Sequence, residues 1–137
     1  MVKTKEELIV MLHRGQEGVH EFNEYRKANP DEDPDLSWAY LFEMDLCGAN
    51  FERVSLYRTN LSGSRLSGAN LCGANLLGAN LSRARLYRAN LNAANLYGTN
   101  LDSADLQEAS FSEARGLKRA DWERACAETA KTIKFAD

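Results

Sequence analysis

Six arginines, Arg53, Arg58, Arg65, Arg83, Arg85 and Arg88, fall between residues 53 and 101, and no Asp or Glu shares that stretch. Guanidinium forks at such density suit carboxylate or phosphate groups. The nearest acids come before, at Asp35, Glu43, Asp45 and Glu52, and after, at Asp102, Asp105, Glu108 and Glu113. Arg65, Arg83, Arg85 and Arg88, with Tyr87 among them, form the densest patch and are the candidate anion site. The competing reading is a solvated face with ion pairs worth under about 1 kcal/mol each.

No catalytic set accompanies the arginines. His13 and His20 lie in a helical segment without metal-ligand spacing. Cys47, Cys72 and Cys126 form no CxxC and no even disulfide set. A reducing cytoplasm is therefore the expected location. Gly63 and Gly68 imitate the start of a phosphate loop, but the Lys-Ser/Thr that would complete it is absent. The Asn-x-Ser triplets at Asn60 and Asn80 are by-products of a repeat. No catalytic, metal or cofactor-binding residue is assigned, and no enzyme is expected.

Those side chains are positioned by a five-residue period. Leu or Phe occupies every fifth position from Leu36 to Phe111, usually preceded by Ala-Asn. At about 100° per residue, a helix would rotate successive leucines around its axis. A straight strand would flip them between faces, because its side-chain period is two. One shared interior requires a corner in every unit, hence a solenoid whose coils lie about 4.7–4.9 Å apart. Ala two residues before each Leu points inward and is small because the lumen is narrow. Asn between them suits a turn, since it tolerates left-handed backbone and bonds locally. Leu61, Leu66, Leu71, Leu76, Leu81, Leu86, Leu91 and Leu96 form the expected core.

The unit A-N-L-x-x, repeated sixteen times over residues 34–113, resembles the pentapeptide repeat family. The resemblance implies a right-handed quadrilateral parallel β-helix, with four units per coil and about four coils. Met44, Val54, Thr59, Ser64 and Thr99 depart at the Ala position; Tyr40, Ser55, Arg65, Arg85 and Ser110 depart at the Asn position.

With four units per coil, residues twenty apart stack. Asp45, Arg65, Arg85 and Asp105 then share one column. Tyr57, Leu77 and Tyr97 share another, with Trp38 and Arg58 near its end. Trp38, Tyr57, Leu77 and Tyr97 are the candidate docking face, since aromatics anchor protein interfaces. The competing reading is a ladder that only stiffens the wall.

Open solenoid ends need cover. Residues 1–33 read as a helical cap and linker, with a capping box at Thr4 and Glu7. Two helices are expected, over about 5–14 and 17–28. Residues 34–114 form the β-helix. After Phe111 the register slips at Gly116, and residues 115–137 read as a second helical cap with Trp122, Ala125, Cys126 and Ala130 on one side. Two capped ends predict a monomer.

Net charge is −3 at pH 7, which points to neither nucleic acid nor membrane as a partner. The apolar run near residue 10 is flanked by acids and reads as no signal peptide. No stretch is long enough for a membrane span. The expected function is a rigid, non-enzymatic scaffold for another protein. The alternative is binding of an anion or nucleic acid through the arginine band. The resemblance adds a third reading, because some members carry acidic, DNA-like surfaces and bind DNA gyrase or topoisomerase. The basic middle coils fit that branch poorly.

Overall fold

The computed structural model of this chain describes residues 2–125. Within each five-residue unit, the same turn returns the chain inward. The N–H of Ala39 donates to Leu36 O at 3.2 Å, and this three-residue link recurs as far as Ala114 to Phe111 at 3.1 Å. Met44 is an exception: its N–H donates to the Ser64 hydroxyl at 3.1 Å. The second residue after each Leu or Phe carries positive φ, from Trp38 at 65° to Glu113 at 62°. A turn closed three residues on, with φ above zero at its second central residue, has the type II pattern.

This corrects one sequence expectation. Asn does not supply the left-handed residue. It lies before the turn and opens it: Asn60 Oδ1 accepts from Ser62 N–H at 3.0 Å, Asn70 from Cys72 at 3.0 Å and Asn80 from Ser82 at 3.0 Å. Asp35, Asp45 and Asp105 bond in the same way, so any short side chain with a carbonyl oxygen fits the position.

Coils are joined by parallel bridges between residues twenty apart, from Asp35↔Ser55 to Asn95↔Arg115. Four columns of bridge residues result, starting at Asp35, Tyr40, Asp45 and Asn50. Each bridge uses two ladder bonds, such as Leu61 N–H to Asn80 O at 2.8 Å and Asn80 N–H to Thr59 O at 3.0 Å. The short extended pieces expected from the sequence shrink to single bridge residues, and no longer strand forms among the described residues. Two of five residues are spent on the corner, leaving too little chain for a longer ladder.

Leu61, Leu66, Leu71, Leu76, Leu81, Leu86, Leu91 and Leu96 are buried, and Ala69, Ala74, Ala79, Ala84, Ala89 and Ala94 fill the narrow lumen with them. Thr59, Ser64 and Thr99 are buried in alanine positions. Their hydroxyls donate to Leu36 O, Leu41 O and Leu76 O, which offsets the cost of placing a polar group inside.

The N-terminal segment forms α1 (Lys5–Leu12) and α2 (Gln16–Ala28). Both are near the expected ranges, and Gly15 at φ 69° breaks the chain between them. Thr4 and Glu7 complete the capping box. The helices cross closely: a Cβ on Gly18 would stand 1.8 Å from Met11 O. Phe22 packs on Phe51 at 5.4 Å between ring centres, extending the lumen core into the helices.

The helices also meet the hydrogen-bonding edge of the first coil. His13 Nε2 lies 2.9 Å from Tyr40 O. Gln16 Nε2 donates to Cys47 O at 3.0 Å, and Asn23 Nδ2 to Gly48 O at 3.0 Å. Asn23 Oδ1 accepts from Asn50 N–H, and Arg26 Nη2 donates to Glu52 O. Side chains thus do for this edge what a preceding coil would do.

At the other end, Trp122 of α3 (Arg119–Ala125) packs edge-on against Phe111 at 5.6 Å. Leu117 and Trp122 are buried. The remainder of the expected C-terminal helix, including Cys126 and Ala130, lies outside the described residues.

Candidate interaction faces

The turn columns place the aromatic residues on one corner. Ladder bonds run from Trp38 N–H to Tyr57 O at 2.9 Å, from Arg58 to Leu77 at 3.0 Å and from Gly78 to Tyr97 at 2.9 Å. Tyr57, Leu77 and Tyr97 therefore follow one another down the wall, as the twenty-residue register requires. Trp38 meets Tyr57 edge-on at 5.9 Å. The Arg58 guanidinium carbon sits 5.3 Å from the Trp38 ring centre and 5.7 Å from that of Tyr57, within cation–π range. Its stem crosses Gly78, where a Cβ would lie 3.0 Å from Arg58 Cγ. Glycine is needed there both for φ 69° and for that crossing.

Trp38 is 60% exposed and Tyr97 51%, while Tyr57 and Leu77 are half-buried. Two further aromatics stand in water beside them, Tyr40 at 70% and Phe42 at 45% exposure. Sequence reasoning passed over both. The signal was present: Tyr40 occupies an outward Asn position, and Phe42 the first turn position of the next corner.

The arginine column stacks through parallel bridges Asp45↔Arg65, Arg65↔Arg85 and Arg85↔Asp105. The six arginines are not equivalent. Arg53 reaches Asp33 at 3.0 Å and Glu52 at 3.5 Å. Arg65 lies 3.7 Å from Asp45, and Arg88 lies 3.1 Å from Glu108. Arg88 also covers Tyr87 at 5.2 Å. The Tyr87 hydroxyl and the Arg88 guanidinium hold the Glu108 carboxyl below its ordinary range. The hydrogen bond to Glu108 in turn raises the Arg88 guanidinium. Arg58 is spent on the aromatic corner. No ion pair reaches Arg83 or Arg85 among the described residues. The candidate patch of Arg65, Arg83, Arg85, Tyr87 and Arg88 therefore divides into members held by carboxylates and two arginines without an ion pair among the described residues, although Asp105 is the bridge neighbour of Arg85 and Asp102 adjoins Arg83.

A shallow groove of about 440 Å³ adjoins Arg83. It is lined by Glu43, Ser62, Gly63, Ser82, Asn100, Asp102 and Ser103 besides the arginine. The described residues hold no cluster of His, Cys, Asp and Glu able to bind a metal ion. Cys47 is half-buried, and burial with the adjoining Asp45 pushes its thiol up, away from a reactive thiolate. No helix among the described residues is long and apolar enough to cross a membrane.

The fold and its corners define a four-sided solenoid with outward-facing side-chain columns. A family model described as "Pentapeptide repeats" matches residues 35–71, 64–102 and 84–115. The chain belongs to the pentapeptide repeat family, whose members are right-handed quadrilateral β-helices. Among solved structures it is similar to Rfr23, a pentapeptide repeat protein from the cyanobacterium Cyanothece 51142. That match has 43% identity and a TM-score of 0.59 over 60% of this chain and 56% of that one. It is also similar to alr5209, a pentapeptide repeat protein from Nostoc Pcc 7120, with 34% identity and a TM-score of 0.60 over 68% of this chain and 74% of that one. The chain thus spans little more than half the length of Rfr23. No curated protein matches it.

Proposed function

We propose that this chain is a rigid, non-enzymatic scaffold of the cytoplasm that docks a partner protein on its aromatic corner. The observation that carries the reading is the exposed pair Trp38 and Tyr97 on one corner, with Tyr40 exposed on the adjoining side and Phe42 at the next corner, on a wall stiffened by coil-to-coil bonds. Large aromatic rings lose little conformational freedom on binding and dominate interface energetics. A wall of single-residue bridges offers them in fixed relative positions, which lowers the ordering cost of association. The interior supports no reaction, since leucine and alanine fill it.

Nucleic-acid binding along the arginine band has less support, because Arg53, Arg58, Arg65 and Arg88 are already engaged. Acid-free middle coils likewise weigh against a DNA-like surface that binds gyrase.

The test is affinity capture from source-cell lysate at low and raised salt, with the wild-type chain beside Trp38→Ala/Tyr97→Ala. A partner lost with the double variant and retained in salt supports aromatic docking. A partner retained by the double variant overturns it, provided both proteins melt alike.

A further inference from the structure

We propose that the aromatic corner takes a proline-rich segment of its partner in the polyproline II conformation, with an acidic residue of that segment beside Arg58. The inference rests on the docking reading above and names the kind of chain that is docked.

The first support is spacing. Tyr57, Leu77 and Tyr97 hold the same place in successive turns. Parallel bridges fix their register on both sides, Ser55 to Asn75 to Asn95 on one and Asn60 to Asn80 to Asn100 on the other. Paired coils lie about 4.7–4.9 Å apart, so Tyr57 and Tyr97 stand about 9.5 Å apart along the solenoid axis. A polyproline II helix has three residues per turn and rises about 3.1 Å per residue, which puts residues three apart on one edge at about 9.3 Å. Prolines at i and i+3, laid along the axis, meet Tyr57 and Tyr97 in turn, and the residues between them pass over Leu77. The α-helical pitch of about 5.4 Å and the same-face spacing of a strand, about 6.6 Å, both fall out of step with the coils.

The second support is polarity. Proline has a carbonyl and no N–H, and a polyproline II helix makes no internal hydrogen bonds. Such a segment therefore offers acceptors and needs donors. Asn80 and Asn100 spend Oδ1 on the N–H groups of Ser82 and Asp102. Among the described residues nothing accepts from their Nδ2 groups, from the Trp38 indole or from the hydroxyls of Tyr57 and Tyr97. The corner thus presents donors beside aromatic rings, the combination that recognises this conformation. A Cβ on Gly98 would meet only the Gly78 backbone, at 3.6 Å and beyond. No side chain fills the floor beside Tyr97, so a backbone can come close there.

The third support is charge. Across this corner and the two sides that flank it, the second, third and fourth coils carry no Asp or Glu from 55 to 60, 75 to 80 or 95 to 100. Arg58 is exposed and forms no ion pair among the described residues. The carboxylate on these flanks is Asp35, in the first coil. It accepts from Ser37 N–H at 2.8 Å and has Lys5 nearby, whose ammonium donates to Ser37 Oγ at 3.4 Å. Arg58 is therefore left for a carboxylate of the partner, and a guanidinium fork suits one.

The experiment uses the full chain and three libraries of twelve-residue peptides, read by fluorescence anisotropy. One has prolines three apart, one has prolines two apart, and one has alanine in place of both. The first should bind saturably and about tenfold more tightly than the others, with Asp or Glu preferred beside the prolines. Tyr97→Ala should weaken binding about tenfold and erase the advantage of the three-residue spacing, because the second proline loses its platform. Arg58→Gln should abolish the preference for acidic neighbours while changing the affinity of neutral members by less than about threefold. Tyr87→Ala, which removes an exposed ring on another corner, should shift binding by less than about twofold. Matching thermal melts establish that all variants fold. Equal binding of the three libraries would overturn the proposal, and so would equal loss in Tyr87→Ala and Tyr97→Ala. If no peptide binds while capture from lysate remains sensitive to Trp38→Ala/Tyr97→Ala, the proline assignment fails and the docking reading stands. If capture is insensitive to that double variant, the docking reading fails and the proposal falls with it.

Discussion

Asn23 of α2 meets Asn50 of the first coil as another coil would, its Oδ1 accepting the Asn50 backbone N–H at 2.8 Å. The same amide donates through Nδ2 to Gly48 O at 3.0 Å. One side chain thereby serves a backbone donor and a backbone acceptor at the edge. Asn23→Ala leaves both without that partner and should cost about 1–3 kcal/mol, the usual penalty for an unsatisfied polar group. Urea denaturation measures the loss. Hydrogen exchange at the Asn50 amide should quicken by more than exchange at Asn70, whose N–H bonds to Ala49 O instead. Equal quickening at both would mean that the substitution destabilises the solenoid as a whole and not its helix-covered edge.

The repeat was legible because its period admits one geometry. Leu at every fifth position cannot share a face on a helix or a straight strand, so the corner and the lumen followed; four units per coil, and with them the twenty-residue stacking, were implied by the resemblance to pentapeptide repeats. The turn was only half legible. Asn and Gly both favour turns, and the sequence does not say which takes positive φ. The coordinates give that role to the second residue after Leu, including Arg53, Arg58, Arg83 and Arg88. Composition alone would not have put arginine there. The arginine band was visible as a charge gap, but not which members were spent. That depends on rotamers, which bring Arg88 to Glu108 while no ion pair of Arg85 is present among the described residues. His13, Gln16, Asn23 and Arg26 were illegible as edge partners, because their acceptors and donors are backbone groups without a sequence signature.

Gly116 and Gly48 separate conformational strain from crowding. Both have positive φ, 83° and 71°. A Cβ on Gly116 would stand 2.5 Å from Tyr97 N and 2.7 Å from Tyr97 Cα, while one on Gly48 meets nothing within 4 Å. Gly48→Ala should cost about 1 kcal/mol, the ordinary penalty for left-handed alanine. Gly116→Ala must also push two chain segments apart, and should cost about 3 kcal/mol. Thermal melts of the two variants decide it, and equal shifts would show that the Gly116 backbone moves aside freely.

Thr99 tests how the solenoid accepts a hydroxyl in its lumen. Its Oγ1 donates to Leu76 O at 2.7 Å, and that carbonyl also accepts from Ala79 N–H at 2.9 Å. Thr99→Val removes one bond but leaves the carbonyl with a partner. The cost should stay near about 1 kcal/mol, the net worth of one hydrogen bond. Thr99→Ala also opens a small void and should cost more. A valine variant less stable than the alanine one would show that the methyl does not fit beside the leucines. Chemical denaturation of both variants gives the ordering.

Glu108 provides the test against pH. Its carboxyl is held below the ordinary value of 4.5 by the Tyr87 hydroxyl and the Arg88 guanidinium. A group whose folded pKa is depressed stabilises the fold above its unfolded value and loses that contribution as pH falls through the folded one. Acidification from about pH 6 to about pH 3 should therefore lower the urea midpoint of wild type more than that of Glu108→Gln. The side chain is exposed, so the difference will be small and should shrink further in high salt. Arg88→Gln removes one of the two groups that hold the carboxylate, so its midpoint should respond to pH between those of wild type and Glu108→Gln. If Arg88→Gln instead tracks wild type, Tyr87 alone holds the carboxylate, and the Arg88 ion pair contributes to the surface without contributing to the pH dependence.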